Sequence, residues 1–363
     1  MPSLEELRKQ IDSIDQQLVK LLNERARVVV EVGKYKKRTG AAPIYAPDRE
    51  KAVLEKICGL NEGPLPDKTL LSVWRELMSG SFFLERPLRI GFLGPRGSYS
   101  HQAAMMKFGQ SVEYNPITDI QGVFDEVARD QCDFGVVPIE NSTGGGIVET
   151  LDALIGTKLM ICAEMEMAIH HNLLANCSLG DIEKIYSKPE VFAQCRKWLA
   201  ETGNQDKTIA EASTAQAAQL ASGSSNAAAI GSNLAGKLYG LNIICENIED
   251  NVSNTTRFLI LSKKDTPRTG DDKTMLMFTT AHKPGSLFEV LSIFDKYDIN
   301  LTRIESRPNS TRTWEYHFFV ELAGHRTDES IKKAVAKLRD KTLQVSILGS
   351  YPKFQSFDKT KNK

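Results

Sequence analysis

The sequence predicts three consecutive domains: an all-α segment, a two-lobed α/β domain, and a small α+β domain with the ferredoxin-like order of elements. Apolar residues recur with a helical period up to about residue 85, and short apolar strands then alternate with helical stretches up to about residue 262. After a polar linker the pattern becomes β-α-β-β-α-β. The length of 363 residues fits two or three domains of roughly 100–200 residues each.

The composition limits the class of partner. Lys plus Arg equals Asp plus Glu at 46 each, so the chain lacks the basic excess of nucleic-acid-binding proteins, and we expect small-molecule partners. The N-terminal sequence has no signal-peptide pattern and no apolar run approaches ~18 residues, which predicts a cytoplasmic protein that does not bind membranes. Six cysteines without a C-x-x-C pair are expected to be reduced and mostly buried.

The helical segment begins with a capping box formed by Ser3 and Glu6. The apolar stripe that follows has coiled-coil spacing and consists of Leu4, Leu7, Ile11, Ile14, Leu18, Leu21, Val28 and Val32. Arg25 interrupts this stripe, although an unpaired buried guanidinium costs several kcal/mol. It therefore either fixes the register of a coiled coil or binds a carboxylate. Ser81 and Glu85, one turn apart on the third helix, either mark the end of a stripe or belong to the same pocket.

The motifs of this segment resemble those of the all-helical chorismate mutases over nearly all of residues 1–87. They are Leu7-Arg8, Glu24-Arg25, Val32-Gly33-Lys34-Tyr35-Lys36, Asp48-Arg49-Glu50, and Ser81 with Glu85. The resemblance implies a chorismate pocket lined by Arg8, Arg25, Lys36, Arg49, Glu50, Ser81 and Glu85, in which Lys36 and Glu85 are catalytic. The chemistry agrees, because rearranging this dianion requires cations that clamp two carboxylates and a donor at the ether oxygen, but no nucleophile.

Two departures from the family pattern carry expectations. Some mutases have Gln where this chain has Glu85. A Glu at this position must be protonated to donate to the ether oxygen, so we expect mutase activity to weaken as pH rises. Ala46 replaces a family carboxylate, which leaves Glu50 to hold the substrate hydroxyl. Arg8 and Arg25 are 17 positions apart, about 25 Å along one straight helix. If both bind substrate, two protomers share each site, and the protein is a homodimer or a higher homo-oligomer.

We expect a mainly parallel sheet in the α/β segment. Within residues 137–146, glycines and polar residues directly follow a buried strand. Open α/β sheets place their binding crevice at such a position, although a flexible loop would also fit. His170 and His171 are adjacent, so on a strand their side chains point to opposite faces, and no carboxylate or cysteine has ligand spacing with them. We therefore expect no metal, and nothing in the sequence implies another cofactor.

A second set of motifs resembles the prephenate dehydratases across residues 88–262. It comprises Gly91–Ser100, Pro138–Gly146, Tyr186–Pro189, Gln194-Cys195, Ala212–Ala215 and Asn251–Phe258. The resemblance implies two α/β lobes like those of periplasmic binding proteins, with an active-site cleft between them. It places Glu140, Asn141, Ser187, Gln194, Thr256 and Arg257 at or near that cleft. Lys188 stands where the family usually has His, so that position is not assumed to be catalytic.

Prephenate loses carbon dioxide and its ring hydroxyl, and aromatisation supplies the driving force. A hydroxyl donor near the leaving oxygen suffices, and Thr256 is our first candidate. Glu140 is the rival acid if burial keeps it protonated. Arg257, if it faces the cleft, would bind the side-chain carboxylate.

Two C-terminal motifs, His282–Phe288 and Glu305–Pro308, lie at a strand-to-helix turn and at a strand end, where they could be ordinary turn residues. Together they resemble the ACT regulatory domain over about residues 273–352, which implies phenylalanine as a feedback effector. The residues implied are Gly285, Ser286, Leu287, Glu305, Ser306, Arg307 and Pro308. Ser286 replaces the more common Ala.

These resemblances imply domains at 1–87, 88–264 and 273–352 and a bifunctional enzyme of phenylalanine biosynthesis with chorismate and prephenate as substrates. Two alternatives stay open. One is a non-catalytic sensor of aromatic metabolites, because two-lobed folds also capture solutes. The other is a monofunctional dehydratase whose helices only dimerise. Arg8, Arg25, Lys36 and Arg49 argue against the second, because a dimerisation helix does not need them.

Overall fold

Three helices form the N-terminal part of the chain: α1 (Leu4–Thr39), α2 (Pro47–Gly59) and α3 (Asp67–Glu85). The computed structural model describes residues 2–39, 44–308 and 315–354. The capping box forms, because Ser3 N–H donates to Glu6 at 2.7 Å and Ser3 Oγ accepts from Glu6 N–H at 3.2 Å. Residues 4–24 of α1 are exposed, including the whole first part of the apolar stripe. From Arg25 onward α1 lies against α3.

The first lobe begins with β1 (Arg89–Leu93), α4 (Tyr99–Phe108), β2 (Glu113–Ile117), α5 (Ile120–Ala128), β3 (Phe134–Asn141), β4 (Gly145–Gly146), α6 (Val148–Leu154) and β5 (Met160–Ala168). Apolar side chains on both faces of β1 and β3 are buried, as expected for strands covered by helices.

The second lobe contains β6 (Asn172–Ala175), β7 (Lys184–Ser187), α7 (Pro189–Gln194), α8 (Arg196–Glu201), β8 (Thr208–Ala210), α9 (Thr214–Ser222), β9 (Ala227–Gly231), α10 (Asn233–Tyr239) and β10 (Asn242–Cys245). The chain then returns to the first lobe as β11 (Thr255–Ser262).

The two sheets are mixed, and the expectation of a mainly parallel sheet is wrong. Their strand orders are β2-β1-β3-β11-β5, with β4 on β3, and β10-β6-β9-β7-β8. β11 runs antiparallel to β3 and β5, and β6 runs antiparallel to β9 and β10. The physical reason is the double passage between lobes, because a strand that follows an interlobe crossing enters its sheet from the opposite end.

Two crossing segments, residues 169–171 and 246–254, connect the lobes and lie side by side. Ile169 N–H donates to Asn254 O and Ile248 N–H donates to His171 O, both at 2.8 Å. Glu249 accepts from His171 N–H at 2.8 Å and contacts His170 Nδ1 at 2.8 Å. These bonds define the floor of a cleft between the lobes.

The C-terminal domain consists of β12 (Asp272–Thr279), α11 (Ser286–Lys296), β13 (Leu301–Pro308), β14 (Tyr316–Ala323), α12 (Glu329–Lys341) and β15 (Gln344–Pro352). The sheet order is β13-β14-β12-β15 with every pair antiparallel, which confirms the predicted ferredoxin-like arrangement. Residues 309–314 of this predicted domain lie outside the described residues.

The three parts pack against one another. One face of the C-terminal sheet packs against α11 and α12. The other face contributes Met275, Met277 and Phe319 to a core shared with the first lobe. In the helical segment, Tyr45 packs edge-on against Phe82, Phe108 and Phe134, with centroids 5.0–5.8 Å apart. Among the residues that the structure describes, no helix has both the length and the apolar character needed to cross a membrane.

Candidate active sites

The first candidate site lies between α1 and α3. Arg25 Nη1 donates to Ser81 Oγ at 3.0 Å, and Lys36 Nζ lies 3.3 Å from both carboxylate oxygens of Glu85. Gly33 permits this close approach of the helices, because a Cβ there would lie 2.9 Å from Glu85 Cγ. The structure therefore brings four of the seven expected chorismate residues together.

The contact between Lys36 and Glu85 bears on which of them can donate to an ether oxygen. An ammonium shared by both oxygens is the arrangement of an ionised carboxylate. The Glu85 side chain is only 9% exposed, so water competes little with this ion pair. The geometry favours Lys36 as the donor and Glu85 as the group that holds it in place.

The other three expected residues lie apart from this pocket. Arg8 is on the exposed part of α1, and Arg49 is exposed near the start of α2. Glu50 Oε2 accepts from Lys107 Nζ of α4 at 2.7 Å and from Tyr45 Oη at 2.8 Å. Burial, with a contribution from Glu50, raises the pKa of Tyr45, so its phenol keeps the proton that it donates. Within this protomer, Glu50 thus faces the first α/β lobe instead of Lys36 and Glu85, because Lys107 offers it a close counter-charge.

The second candidate site lies in the cleft, where Asn141 of β3 pairs with Thr256 of β11. Asn141 Oδ1 accepts from the backbone N–H groups of Thr143 and Gly144 at 3.0 and 2.9 Å. Because a backbone N–H can only donate, this fixes which end of the amide is oxygen. Asn141 Nδ2 then donates to Thr256 Oγ1 and to Asn254 Oδ1, both at 2.9 Å. Thr256 Oγ1 accepts in this bond, so its own proton is available to another acceptor.

Gln194 reaches this group from the second lobe. Its Oε1 lies 3.2 Å from Asn254 Nδ2 and 2.7 Å from His171 Nε2. A cavity of about 380 Å³ opens beside them, lined by Thr143, Gly144, Glu190, Ala193, Gln194, Glu249, Asp250, Asn251 and Asn254. Asn141, Thr256 and Gln194 are therefore linked through Asn254. Our site prediction omitted Asn254, although it begins the same Asn-Thr-Thr-Arg motif.

Ser187 lies at the end of β7 and is fully buried. Its hydroxyl donates to Ile230 O on the neighbouring strand at 2.8 Å, so its proton is committed to the backbone. Its oxygen remains able to accept a further hydrogen bond.

Glu140 and Arg257 lie on the opposite face of the sheet from Thr256. Because successive side chains of a strand alternate between faces, the neighbours of Asn141 and Thr256 point away from the cleft. Arg257 donates to both carboxylate oxygens of Glu321 in the C-terminal domain, and Glu140 lies 3.7 Å from Arg257 Nη2. The structure therefore meets neither condition for a cleft role: Arg257 does not face the cleft, and Glu140 is paired with arginines.

These residues belong to a charged cluster between the first lobe and the C-terminal domain. Lys273 Nζ lies 2.9 Å from Glu164 Oε1, and Arg303 Nε lies 3.6 Å from Glu140 Oε2. Glu164 and Glu321 have fully buried side chains. Burial alone would lower the pKa of Arg257, but Glu321 and Glu164 raise it overall, so the guanidinium stays charged.

The residues expected to bind phenylalanine divide between two faces of the C-terminal sheet. Ser286 and Leu287 line a pocket of about 150 Å³ with Tyr316 and Phe318, and Gly285 enables the preceding turn with a φ of 84°. The Ser286 hydroxyl is buried and has no hydrogen-bond partner among the described residues.

Along β13, Ser306 pairs with Phe318 and Pro308 pairs with Tyr316, so both lie next to strand residues that line this pocket, although neither lines it. Glu305 and Arg307 alternate to the other face, against the first lobe. Arg307 donates to both carboxylate oxygens of Asp152 at 3.0 and 2.9 Å, and Glu305 lies 3.4 Å from Arg303 Nη2. The expectation that Glu305 and Arg307 lie with Ser286 is therefore not met within one protomer.

Comparison with known proteins supports an assignment for each part of the chain. Family models match at residues 7–86 (chorismate mutase type II), 90–266 (prephenate dehydratase) and 274–340 (ACT domain). A protein of Aquifex aeolicus, described as a bifunctional chorismate mutase/prephenate dehydratase, is 41% identical over 97% of this chain and 99% of its own length.

Two solved structures are each similar to about three quarters of the chain. The prephenate dehydratase of Arthrobacter aurescens in complex with L-Phe has a TM-score of 0.67 and 34% identity, covering 73% of this chain and 90% of that one. A quorum-quenching acylase, GqqA, has a TM-score of 0.68 and 28% identity, covering 73% of this chain and 98% of that one.

Proposed function

The chain belongs to the family of bifunctional chorismate mutase/prephenate dehydratases, and we propose that Thr256 is the proton donor of its second reaction and that two protomers share the site of its first. It rearranges chorismate to prephenate and converts prephenate to phenylpyruvate in phenylalanine biosynthesis, under regulation by its ACT domain. Membership of this family confirms the predicted fold class and both predicted activities. The sensor and the monofunctional dehydratase are correspondingly disfavoured. We assign residues 1–87, 88–264 and 273–352 to the three domains.

The fixed direction of the hydrogen bonds around Asn141 supports Thr256 as the donor. Since Asn141 Nδ2 donates to Thr256 Oγ1, the Thr256 proton is free to point to the leaving hydroxyl of prephenate. As the bond from the ring to its carboxylate breaks, the electron pair enters the ring and carbon dioxide leaves. The hydroxyl departs as water with the donated proton, which solvent restores to Thr256. Glu140 is the weaker candidate, because its carboxylate lies beside Arg257 and Arg303.

The test replaces Thr256 by Val, which keeps the shape of the side chain, and by Ser, which keeps the hydroxyl. A lost proton donor lowers turnover typically 10²–10⁴-fold, so we expect kcat for prephenate to fall by about that factor in Thr256→Val, with little change in KM. Thr256→Ser should retain most of the turnover. Mutase activity of the same variants reports that the chain is folded. Unchanged kcat in Thr256→Val, together with a large loss in Glu140→Gln, would reassign the donor.

The mutase site is completed by a second protomer in our proposal. Arg25, Lys36, Ser81 and Glu85 form one side of the pocket, and Arg8 of the partner protomer supplies a further cation for the substrate carboxylates. The assignment of Arg49 and Glu50 to the pocket rests on the family pattern alone.

The exposed apolar stripe on α1 supports this homodimer. Leu4, Leu7, Ile11 and Leu18 are 43–65% exposed, although coiled-coil spacing of this kind serves helix pairing. Burying a half-exposed Leu or Ile contributes about 1 kcal/mol, so a partner helix along the whole stripe gives a substantial driving force. A second copy of the chain presents the same stripe and is the simplest occupant.

We place the effector phenylalanine at the pocket lined by Ser286 and Leu287, with Ser306 and Pro308 on the neighbouring strand. The supporting observation is the unsatisfied, buried Ser286 hydroxyl, which could accept from the ammonium of an amino acid or donate to its carboxylate. The similar dehydratase of A. aurescens is described in complex with L-Phe. The effector acts through its different affinity for two arrangements of the lobes.

A further inference from the structure

His171 lies in the crossing segment between the lobes and joins groups from both of them. The residue is 1% exposed. Its Nε2 lies 2.7 Å from Gln194 Oε1 in the second lobe, and its Nδ1 lies 2.7 Å from Tyr99 Oη at the start of α4 in the first lobe. The residues predicted for the dehydratase site do not include this histidine, and we expected it to bind no metal.

The backbone N–H groups that donate to Asn141 determine which nitrogen of His171 carries a hydrogen. The fixed Asn141 amide makes Asn254 Oδ1 an acceptor, so Asn254 Nδ2 donates, and it donates to Gln194 Oε1. The Gln194 atom that faces His171 is therefore the oxygen, and His171 Nε2 must carry a hydrogen.

The Nδ1 of a neutral imidazole is then an acceptor, which Tyr99 satisfies. Burial lowers the pKa of His171 and raises that of Tyr99, so the neutral imidazole and the protonated phenol are both favoured. Tyr99 Oη also lies 2.9 Å from His170 O, a second position for its proton. Each atom from Asn141 to His171 thus has a defined donor or acceptor role, and the one proton of Tyr99 is shared between His171 Nδ1 and His170 O.

We propose that His171 is a positioning residue for prephenate dehydration, which orients the Gln194 amide and is itself held by Tyr99. With its oxygen occupied by His171 and Asn254, Gln194 directs its amide nitrogen away from both of them, and the residue lines the cleft. The other lining side chains include Glu190, Glu249 and Asp250, so a correctly oriented N–H donor matters for a dianionic substrate. This inference rests on the proposed dehydratase site.

The test compares two amides at position 171 that differ by one methylene. In His171→Gln the side-chain nitrogen can reach the place of Nε2 and donate to Gln194. In His171→Asn it reaches only the place of Nδ1. We expect His171→Asn to raise KM for prephenate roughly tenfold with a smaller change in kcat, and His171→Gln to restore KM to within about threefold. Mutase turnover of both variants is the folding control.

A double-variant cycle separates action through Gln194 from a general structural effect. In the Gln194→Ala background, His171→Asn should add little to KM, because the group that it positions is gone. Fully multiplicative effects, or equal KM values for His171→Asn and His171→Gln, would overturn the role of His171. A wild-type KM in Gln194→Ala itself would instead remove Gln194 from the prephenate site, and with it the cleft assignment on which this inference rests.

Discussion

Two arginines on α1 make it possible to detect a mutase site shared between protomers. Arg25 lies in the pocket beside Ser81, whereas Arg8 lies on the exposed part of the helix. In the proposed homodimer, Arg8→Ala removes the arginine that each protomer contributes to its partner's site, and Arg25→Ala removes the one in each protomer's own pocket. Both homodimers should therefore lose most of their mutase activity.

The geometry sets the size of the effect. The two arginines are separated by 17 positions of one continuous helix, so they stand about 25 Å apart and cannot bind one small dianion in the same chain. A hydrogen bond to a charged group contributes about 1.5–3 kcal/mol, which corresponds to a loss of roughly 10- to 150-fold in kcat/KM for each variant.

The assay mixes the two inactive variants and allows their subunits to exchange. A heterodimer then contains one site with both arginines and one site with neither. Random pairing makes about half of the dimers heterodimeric, so about one quarter of the wild-type mutase activity should return. Dehydratase turnover should stay at the wild-type level throughout and serves as the control. Activity no higher than the average of the two homodimers, in a sample shown to contain heterodimers, would refute the shared site.

Three further predictions follow from individual contacts. Glu85→Gln breaks the ion pair that holds Lys36 in place, so kcat/KM for chorismate should fall, whereas the dehydratase turnover of the same variant should not change. An unchanged kcat/KM for chorismate would contradict the positioning role of Glu85, and a weaker dependence of mutase activity on pH would restore Glu85 as the donor. Glu321→Ala removes the bidentate partner of the buried Arg257 and leaves it only the longer contacts with Glu140 and Glu164, so it should lower the free energy of unfolding, measured with urea, by about 3 kcal/mol. Glu329→Ala, at an exposed ion pair, should change this free energy by less than about 0.5 kcal/mol, and equal effects would show that the cluster is not stabilising. Burial lowers the pKa of His101 to about 4, below its unfolded value near 6.5. The contribution of His101 to stability is therefore complete above the unfolded pKa and is lost as pH falls towards 4, by up to about 3 kcal/mol. His101→Asn should flatten this fall in the free energy of unfolding between pH 7 and 5, and an unchanged slope would assign the fall to other groups.

The motifs predicted the fold class well because they depend on local requirements. The helical period to Glu85, the glycines after β3 and the β-α-β-β-α-β order depend on neighbouring residues, and the structure follows them. Arg25, Ser81, Lys36 and Glu85 could be placed together because each lies on a predictable face of a long helix. The sequence thus predicted that these four residues lie close together.

The site predictions that were wrong concern which face of a strand packs against which domain. Thr256 and Arg257 are adjacent in one motif, and only the packing of the C-terminal sheet decides that Arg257 and Glu140 face Glu321 and Arg303 instead of the cleft. The same alternation separates Glu305 and Arg307 from the pocket at Ser286.

Contacts between distant parts of the chain were equally hidden. Glu50 turns to Lys107, which is 57 positions away, because the helical segment docks on the first lobe. His171 could not be connected with Gln194 and Tyr99 from spacing, since the three residues come from different elements. Such long-range pairs require the tertiary structure.

The most direct test of the central claim supplies chorismate to the purified chain and follows chorismate and phenylpyruvate over time. Two active sites in one chain predict that chorismate disappears, that phenylpyruvate forms without any added enzyme, and that phenylalanine slows phenylpyruvate formation. Accumulation of prephenate without phenylpyruvate would contradict the dehydratase assignment. Failure to consume either chorismate or added prephenate would contradict the account as a whole.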